Sequence, residues 1–458
     1  MAQTSMRVLL ALLITSVACS PEPHPGDTVL LQTVRPDLRI AVVGAGASGL
    51  TAALTLKDLG YRNVTVFEKE NDVGGKIHSF KLGDLRAELG AVFASPDYKT
   101  VLSLADRFGV PYVRYEGPRL VMDEKGVKRS FQDFLFSRYT ADEIRLAARN
   151  YLSVLQRFPE IDQDGFAKLP PDLTLNFDQF AARFGFTPVA ELARSLMTGF
   201  GYDTYETVPA AYVLKLLPWL VKVGPAGLES PPYYVFPDGY QALWRAVATS
   251  LDVKLGTPVT KIERPGSGRP LRVTVQGGAR REFDAVVIST PLDVVPKFLA
   301  VTAEERALFS QISTSRYFVT LFFSLNLAQA ETVFIHPHAF PEKINHVSVW
   351  GNPGGNAPVF IGYQLADKHQ NAATLFGTLA LDVFQLGHGL FTVPLYQREW
   401  PYFPRVGSQA MRGGYFDDVE ALQGRDGIYY VGSSLSFETV EHTSRFARTL
   451  VQKHFGSN

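Results

Sequence analysis

RIAVVGAGASGLTAALTLKDLGYRNVTVFEKENDVGGKIHS, residues 39–79, decides how the rest of the chain is read. It opens on an apolar run, Ile40 to Val43, bounded by glycine. Such a run marks a parallel strand covered on both faces. Gly44, Gly46 and Gly49 follow at the G-x-G-x-x-G spacing. The first permits a tight turn, the second lets a pyrophosphate approach the backbone, and the third lets helix and strand pack closely. Ser48 to Leu59 reads as an amphipathic helix stopped at Gly60. A second strand, Val64 to Phe67, ends in Glu68, where an acid can accept hydrogen bonds from ribose hydroxyls. The glycine spacing alone is a weak sign. Strand, glycines, helix, strand and acid in register point to a dinucleotide site rather than to a glycine turn without a ligand.

The end of the stretch selects the dinucleotide. Gly74-Gly75-Lys76 resembles the second glycine pair of FAD-binding proteins of the flavin amine-oxidase-like superfamily. There the position of Lys76, more often arginine, sits near the FAD pyrophosphate. A nicotinamide domain has no particular need for that pair, so FAD is the expected cofactor and NAD the alternative. Gly90-Ala91 resembles the loop that returns to the flavin in that superfamily, with an ordinary strand turn as the plain alternative. Val259 to Ile262 resembles the strand beside the adenine. Asp426 to Phe455 reads as a strand, a turn at Gly432 and a long helix from about Thr439. The N-terminus of that helix offers a positive dipole to charge on a reduced isoalloxazine. The resemblance thus implies a cofactor set of Gly44, Gly46, Ala47, Ser48, Gly49, Glu68, Lys69, Gly75, Lys76, His78, Gly90, Ala91, Val259, Gly432, Ser433 and Val440.

The expected fold is α/β: a split Rossmann-like FAD-binding domain in three pieces, 37–95, 235–297 and 405–458. A mixed α/β substrate domain, 96–234 and 298–404, is inserted between them and carries a helical segment. Residues 96–230 read as mainly helical, with Tyr98 to Phe108, Ala141 to Phe158, Phe177 to Phe184 and Pro188 to Met197 at helical spacing. Residues 317–325 and 358–365 read as strands. VPAAYVLKLLPWLVKV, residues 208–223, is apolar but holds Lys215, Pro218 and Lys222 and is no membrane span. It reads as a buried, proline-kinked helix, with the lip of a lipid portal as the sharper alternative.

The chain has 458 residues, 46% of them hydrophobic, which is ample for a large core. Formal net charge is zero and there is no basic stripe, so nothing points to nucleic acid. The start differs. Arg7 precedes the apolar run Val8 to Val17, and Ser16-Val17-Ala18-Cys19 follows. Residues 1–19 read as a signal peptide and 20–36 as a linker. Cys19, the only cysteine, resembles the lipid-modified cysteine of a bacterial lipoprotein. Ser16 stands where those proteins usually carry leucine, and cleavage after Ala18 is the alternative. The expectation is an exported protein, membrane-anchored through lipidated Cys19. It sits uneasily with a cofactor made in the cytosol, because no twin-arginine signal is present.

There is no G-x-S-x-G elbow for a hydrolase. His336-x-His338 has no acidic ligand pattern beside it, so no metal is expected and both histidines read as solvated. A more specific resemblance lies in GFGYDTYETVPAAYVLKLL, Gly199 to Leu217, and WPYFPRVGSQAMRGGYFDDVEALQGRDGIYYVGSSLSF, Trp400 to Phe437. Both, with GGKIHS including His78, look like FAD-dependent polyunsaturated fatty acid double-bond isomerases, the linoleate isomerases. The likeness is collinear over roughly 37–455 and dense in these windows. It implies that a hydride leaves the methylene between two double bonds for flavin N5 and returns to another carbon, giving a conjugated diene. The substrate would be a fatty acid or another lipid-like molecule.

Such chemistry needs a dry apolar tunnel, aromatic faces near a delocalised cation and an anchor for the carboxylate. Phe200, Tyr202, Tyr317 and Tyr402 are the aromatic candidates, with Trp400, Phe403 and Tyr415 in the same windows; core packing is the plain alternative for each. Arg119 is the candidate carboxylate anchor, with surface solvation as its alternative. Rival readings are a flavin amine oxidase, a flavin-dependent lipid or isoprenoid desaturase, and a flavin- or lipid-binding protein without turnover. The oxidase reading expects a lysine near N5, yet no lysine occurs between residues 298 and 342, and Tyr317 stands near its place. The glutamate that resemblance to the oxidases implies directly after Gly432 is also missing, since Ser433 follows, and its absence departs from the isomerases as well.

Overall fold

The computed structural model describes residues 35–83, 85–224, 227–229, 231–266, 268–329, 331–353 and 357–456. The expected leader, Cys19 and nearly all of the tether lie outside the described residues.

Arg39–Val43 is the middle strand of a five-stranded parallel sheet. Asn63–Phe67 and then Asp252–Lys254 lie on one side of it; Ala285–Ile288 and then Ile428–Tyr430 lie on the other. The sheet is thus assembled from segments far apart in sequence. Its two-residue alternation divides the core. Ile40 and Val42 join the apolar cluster that includes helices Ala47–Asp58 and Val440–Phe455. Ala41 and Val43 join a second cluster with an antiparallel meander, Val259–Glu263, Leu271–Val275 and Arg280–Phe283. Cover on both faces explains why Ile40 to Val43 and Ala285–Ile288 read as unbroken apolar runs.

The inserted unit is built on a seven-stranded mixed sheet. Its order is Leu390–Arg405, Ser313–Leu325, Val359–Ala366, Val347–Gly351, Thr332–Ile335, Arg119–Met122 and Lys128–Arg129. Helix Thr187–Gly199 packs on one face, while Ala372–Gly387 closes the other over Phe322, Trp350 and Phe360. One expectation needs correction. Residues 96–230 hold the anticipated helices, but Arg119–Met122 is a strand paired in parallel with Thr332–Ile335. Its partner lies some two hundred residues away, so no local pattern in a four-residue segment reveals it.

Helix Ala210–Leu220 is buried from Ala210 to Leu217 and carries Pro218 in its last turn. No described helix is long and apolar enough to cross a membrane. Lys215, on this helix, is 3% exposed; its ammonium donates to the Gln163 carbonyl and lies 5.2 Å from the Phe166 ring. Burial lowers its pKa from 10.5 to about 7. Between those values the unfolded chain binds a proton that the folded chain releases, so stability rises with pH across that window. Lys215→Met should therefore raise stability by about 1–3 kcal/mol at pH 7. Gln163 keeps a bond from Arg445 Nη2. The gain should shrink toward pH 10 in thermal melts; a gain independent of pH would assign it to packing.

Candidate active site

The glycine loop is held from both sides. Gly44 has φ +102° and donates to Phe67 O at 2.8 Å. A Cβ on Gly49 would lie 2.0 Å from Gly44 O, so close helix–strand contact excludes a side chain there. Helix Ala47–Asp58 has no side-chain cap and no acid in its first turn, which leaves its N–H groups for an anion. Ser48 Oγ is buried without a partner within that turn. Glu68 is buried, with Oε2 accepting from Ala45 N at 2.7 Å and Oε1 from Glu70 N at 2.9 Å. Each oxygen keeps a lone pair for a hydroxyl donor. Thr257 N donates to Glu68 O at 2.7 Å, which brings Val259 to this end of the site. Lys69 is not part of the arrangement: it is exposed and pairs with Glu70 at 3.2 Å.

Gly74 donates to Ala45 O at 2.9 Å, and a Cβ on Gly75 would lie 3.3 Å from Gly46 Cα, so the two glycine motifs abut. The returning loop is tighter still. A Cβ on Gly90 would fall 1.8 Å from Lys76 O, and Ala91 N donates to that same oxygen at 3.3 Å. Gly432, at φ +112°, completes the cradle beside Ser289 and Ser48, followed by half-buried Ser433. Thr439 caps the last helix, accepting from His442 N, and Val440 opens it. His78 is half-buried, 6.4 Å from the Trp400 ring, and burial lowers its pKa. An uncapped helix start, an orphaned buried hydroxyl and glycines fitted to bare backbone are what a dinucleotide pyrophosphate needs, and the residues present fit FAD.

A cavity of about 520 Å³ opens beside this cradle. Gly90, Ala91 and Val440 form one wall, and Phe200, Tyr202, Tyr317 and Tyr402 form another. Tyr202 and Tyr402 stack at 5.8 Å, Tyr402 lies 5.1 Å from Tyr317, and Tyr317 Oη donates to Gly199 O at 2.6 Å. Burial pushes the phenols of Tyr202, Tyr317 and Tyr402 well above their usual range, so they stay neutral. Trp400, Phe403 and Tyr415 are core residues instead. Trp400 Nε1 donates to Leu89 O at 2.5 Å, and none of the three lines the cavity.

Sequence reasoning missed several wall residues, among them Phe93, Tyr98, Tyr233, Tyr363, Glu88 and Glu438. Glu438 matters most. Its side chain is 4% exposed, Oε1 accepts from the Lys76 ammonium, and Oε2 is buried without a partner. Lys76 also stands 5.1 Å from the Tyr402 ring centroid. Glu438 lies six positions after Gly432, just before the last helix. Burial pushes both Glu88 and Glu438 above the usual carboxylate range.

Arg119 lies in a second cavity, of about 920 Å³, lined largely by apolar side chains of Phe131, Leu135, Ile144 and Leu192. The solvated alternative is corrected: its guanidinium is half-buried, 4.1 Å from the Tyr233 ring, and donates to Pro231 O at 3.3 Å. Burial lowers its pKa. Tyr233 and Leu220 line both cavities. His336 and His338 also differ from expectation, being buried at 1% and 9% exposure. The turn around Pro337 tucks them inward, where His336 Nε2 pairs with Glu191 at 2.7 Å and His338 Nδ1 with Val347 O at 2.9 Å. Donor atoms of His338, His346 and Asp382 lie within 4.8 Å of one another. Asp382 already holds His346 Nδ1 and Val347 N, both at 2.9 Å.

The fold and this site define an FAD-dependent enzyme. The family described as flavin containing amine oxidoreductase matches residues 47–322, and the chain belongs to it. A polyenoic fatty acid isomerase of Ptilota filicina is 24% identical over 98% of this chain and 99% of that protein. The crystal structure of a CLA-producing fatty acid isomerase from P. acnes superposes with a TM-score of 0.82. It is 25% identical and covers 92% of this chain and 100% of that one. Putrescine oxidase bound to putrescine shares the fold, with a TM-score of 0.63 at 17% identity over 91% of this chain and 98% of that one. The likeness to the fatty acid isomerases read from Gly199 to Leu217 and Trp400 to Phe437 is borne out.

Proposed function

We propose that the protein isomerises a polyunsaturated fatty acid to a conjugated diene without net oxidation. Bound FAD supplies a hydride acceptor and donor at N5. The residues supply the rest. The observation that supports the reading is that the aromatic cavity and the Arg119 cavity share Tyr233 and Leu220 in their walls. Arg119 can hold a carboxylate through a charge-assisted pair while the chain passes Tyr233 into the aromatic cavity. There the faces of Phe200, Tyr202 and Tyr402 exclude water and stabilise a delocalised cation. Neutral phenols keep that cation from being quenched by a nearby phenolate.

The test is anaerobic incubation of the holoenzyme with linoleate. A conjugated-diene band should grow while the flavin ends oxidised. Lasting flavin bleaching without diene would overturn the reading in favour of a dehydrogenase; peroxide release in a separate, aerated incubation with amines would overturn it in favour of an oxidase. Arg119→Gln should raise KM for the free acid by roughly tenfold or more, the scale of a lost charged hydrogen bond. It should leave the methyl ester nearly unchanged; equal effects on acid and ester would remove Arg119 from the site.

A further inference from the structure

Strand Leu390–Arg405 is the outer strand of the seven-stranded sheet and pairs, among the described residues, with Ser313–Leu325 alone. It begins LFTVPL, and Leu390, Phe391, Val393 and Leu395 are exposed. Phe391, at 77% exposure, is the most exposed large apolar residue among those described. Its φ of +51° is one that a bulky residue adopts only at a cost. Leu381 and Phe384 are exposed on the adjoining end of helix Ala372–Gly387. Between Asn371 and Gln397 the only Asp, Glu, Lys or Arg is Asp382, which is buried. This stretch therefore exposes an apolar surface and presents no acidic or basic side chain of its own apart from exposed His388.

Two features choose its occupant. Pro394 lacks an N–H, and the register shifts opposite it between Leu321 and Phe322 and between Phe323 and Leu325. Both blunt edge-to-edge pairing with a strand of a second copy. The corner is also continuous with the active site. Leu390 to Tyr396 spans about 20 Å of strand, and the Tyr396 ring lies 5.3 Å from Phe80, which lines the aromatic cavity. Beside Phe80, Leu82 is exposed at 65%, and exposed Lys81 adds a cation suited to anionic headgroups.

We propose that this corner docks on a lipid bilayer, with Phe391 and Phe384 inserted among the acyl chains. The strip from Leu390 to Phe80 then leads apolar molecules from the bilayer to the cavity; only this hand-over rests on the fatty acid reading.

The test uses the full-length holoenzyme. In a Cys19→Ala background, Phe391→Cys places the single thiol at the tip for an environment-sensitive fluorophore. Leu146→Cys, on an exposed position of a different helix, serves as the control. Vesicles of phosphatidylcholine and phosphatidylglycerol should blue-shift the label at 391, brominated lipid should quench it, and the control should change in neither way. Adding Phe384→Asp should weaken the vesicle response by about tenfold or more. No response at 391, an equal response at 146, or no effect of Phe384→Asp would overturn the proposal. A shift that tracks protein concentration without vesicles would overturn it in favour of a second copy. No substrate enters the readout, so failure of the isomerase reading and failure of docking are distinguishable.

Discussion

Gly90→Ala should yield a protein that retains little or no flavin and melts well below the parent. The added Cβ would fall 1.8 Å from Lys76 O and 2.9 Å from Lys76 C. The neighbour is backbone, so no rotamer change relieves the clash. Either the returning loop or the Gly74-Gly75-Lys76 turn must move. Moving the loop breaks Ala91 N to Lys76 O and Leu89 N to His78 O, bonds of 3.3 and 2.8 Å. Moving the turn separates Gly75 from Gly46 and opens the cradle. Overpacking with lost buried hydrogen bonds amounts to about 3 kcal/mol or more. Gly60→Ala is the informative control. Gly60 has φ +94° but nothing within 4 Å of a built Cβ, so its cost is backbone strain alone, about 1–2 kcal/mol. The check is the ratio of flavin to protein absorbance with a thermal melt. If Gly90→Ala keeps its flavin and melts like Gly60→Ala, the two loops are not packed as described.

The contrast between these glycines shows what was legible in the sequence. The cofactor cradle is written locally: Gly44, Gly46 and Gly49 lie within six residues, and Glu68 ends the next strand. Turn geometry and strand pairing then fix their positions with little help from distant chain. The cavity is different, because its wall is collected from remote segments. Spacing cannot tell which aromatic of a dense window faces it. Trp400 and Tyr402 share a strand face by two-residue alternation, yet Trp400 is held by the Leu89 carbonyl while Tyr402 reaches the cavity. The strand is irregular just beyond, with a register shift between Ser313 and Ser315 and a φ of +49° at Phe403, so plain alternation does not assign its side chains. Arg119 was legible as a residue type but not as part of a strand. Glu438 was not legible because residues 431–439 are irregular backbone with no repeating spacing to mark which side chain turns inward.

Removing the Glu438 carboxylate should have an effect of similar size for an electrostatic reason. At a pH where the pair is ionised, Glu438→Ala leaves the Lys76 ammonium beside Tyr402 without its counter-charge. Breaking a buried pair from one side costs about 3–5 kcal/mol; Lys76 is 23% exposed, so the low end of that range applies. Lys76→Ala strands the carboxylate instead and should also lower FAD retention. The double variant Lys76→Met/Glu438→Leu should recover most of the stability, since apolar replacement of a buried pair is often neutral or favourable. It should not recover the flavin, because Glu438 Oε2 is an unmatched acceptor at the cavity wall and Lys76 a cation at the second glycine motif. The pH dependence has a definite sign. Burial pushes Glu438 upward against the opposing pull of Lys76. The folded chain then holds this proton more firmly than the unfolded chain. The resulting stability is present at the acidic end and is lost as pH rises through the folded value, a dependence that Glu438→Gln should abolish. Melts of the four variants across pH, with flavin content measured on each, separate the contributions. A double variant as unstable as the singles would assign the effect to packing, and full flavin retention in Lys76→Ala would place the cofactor's charge elsewhere.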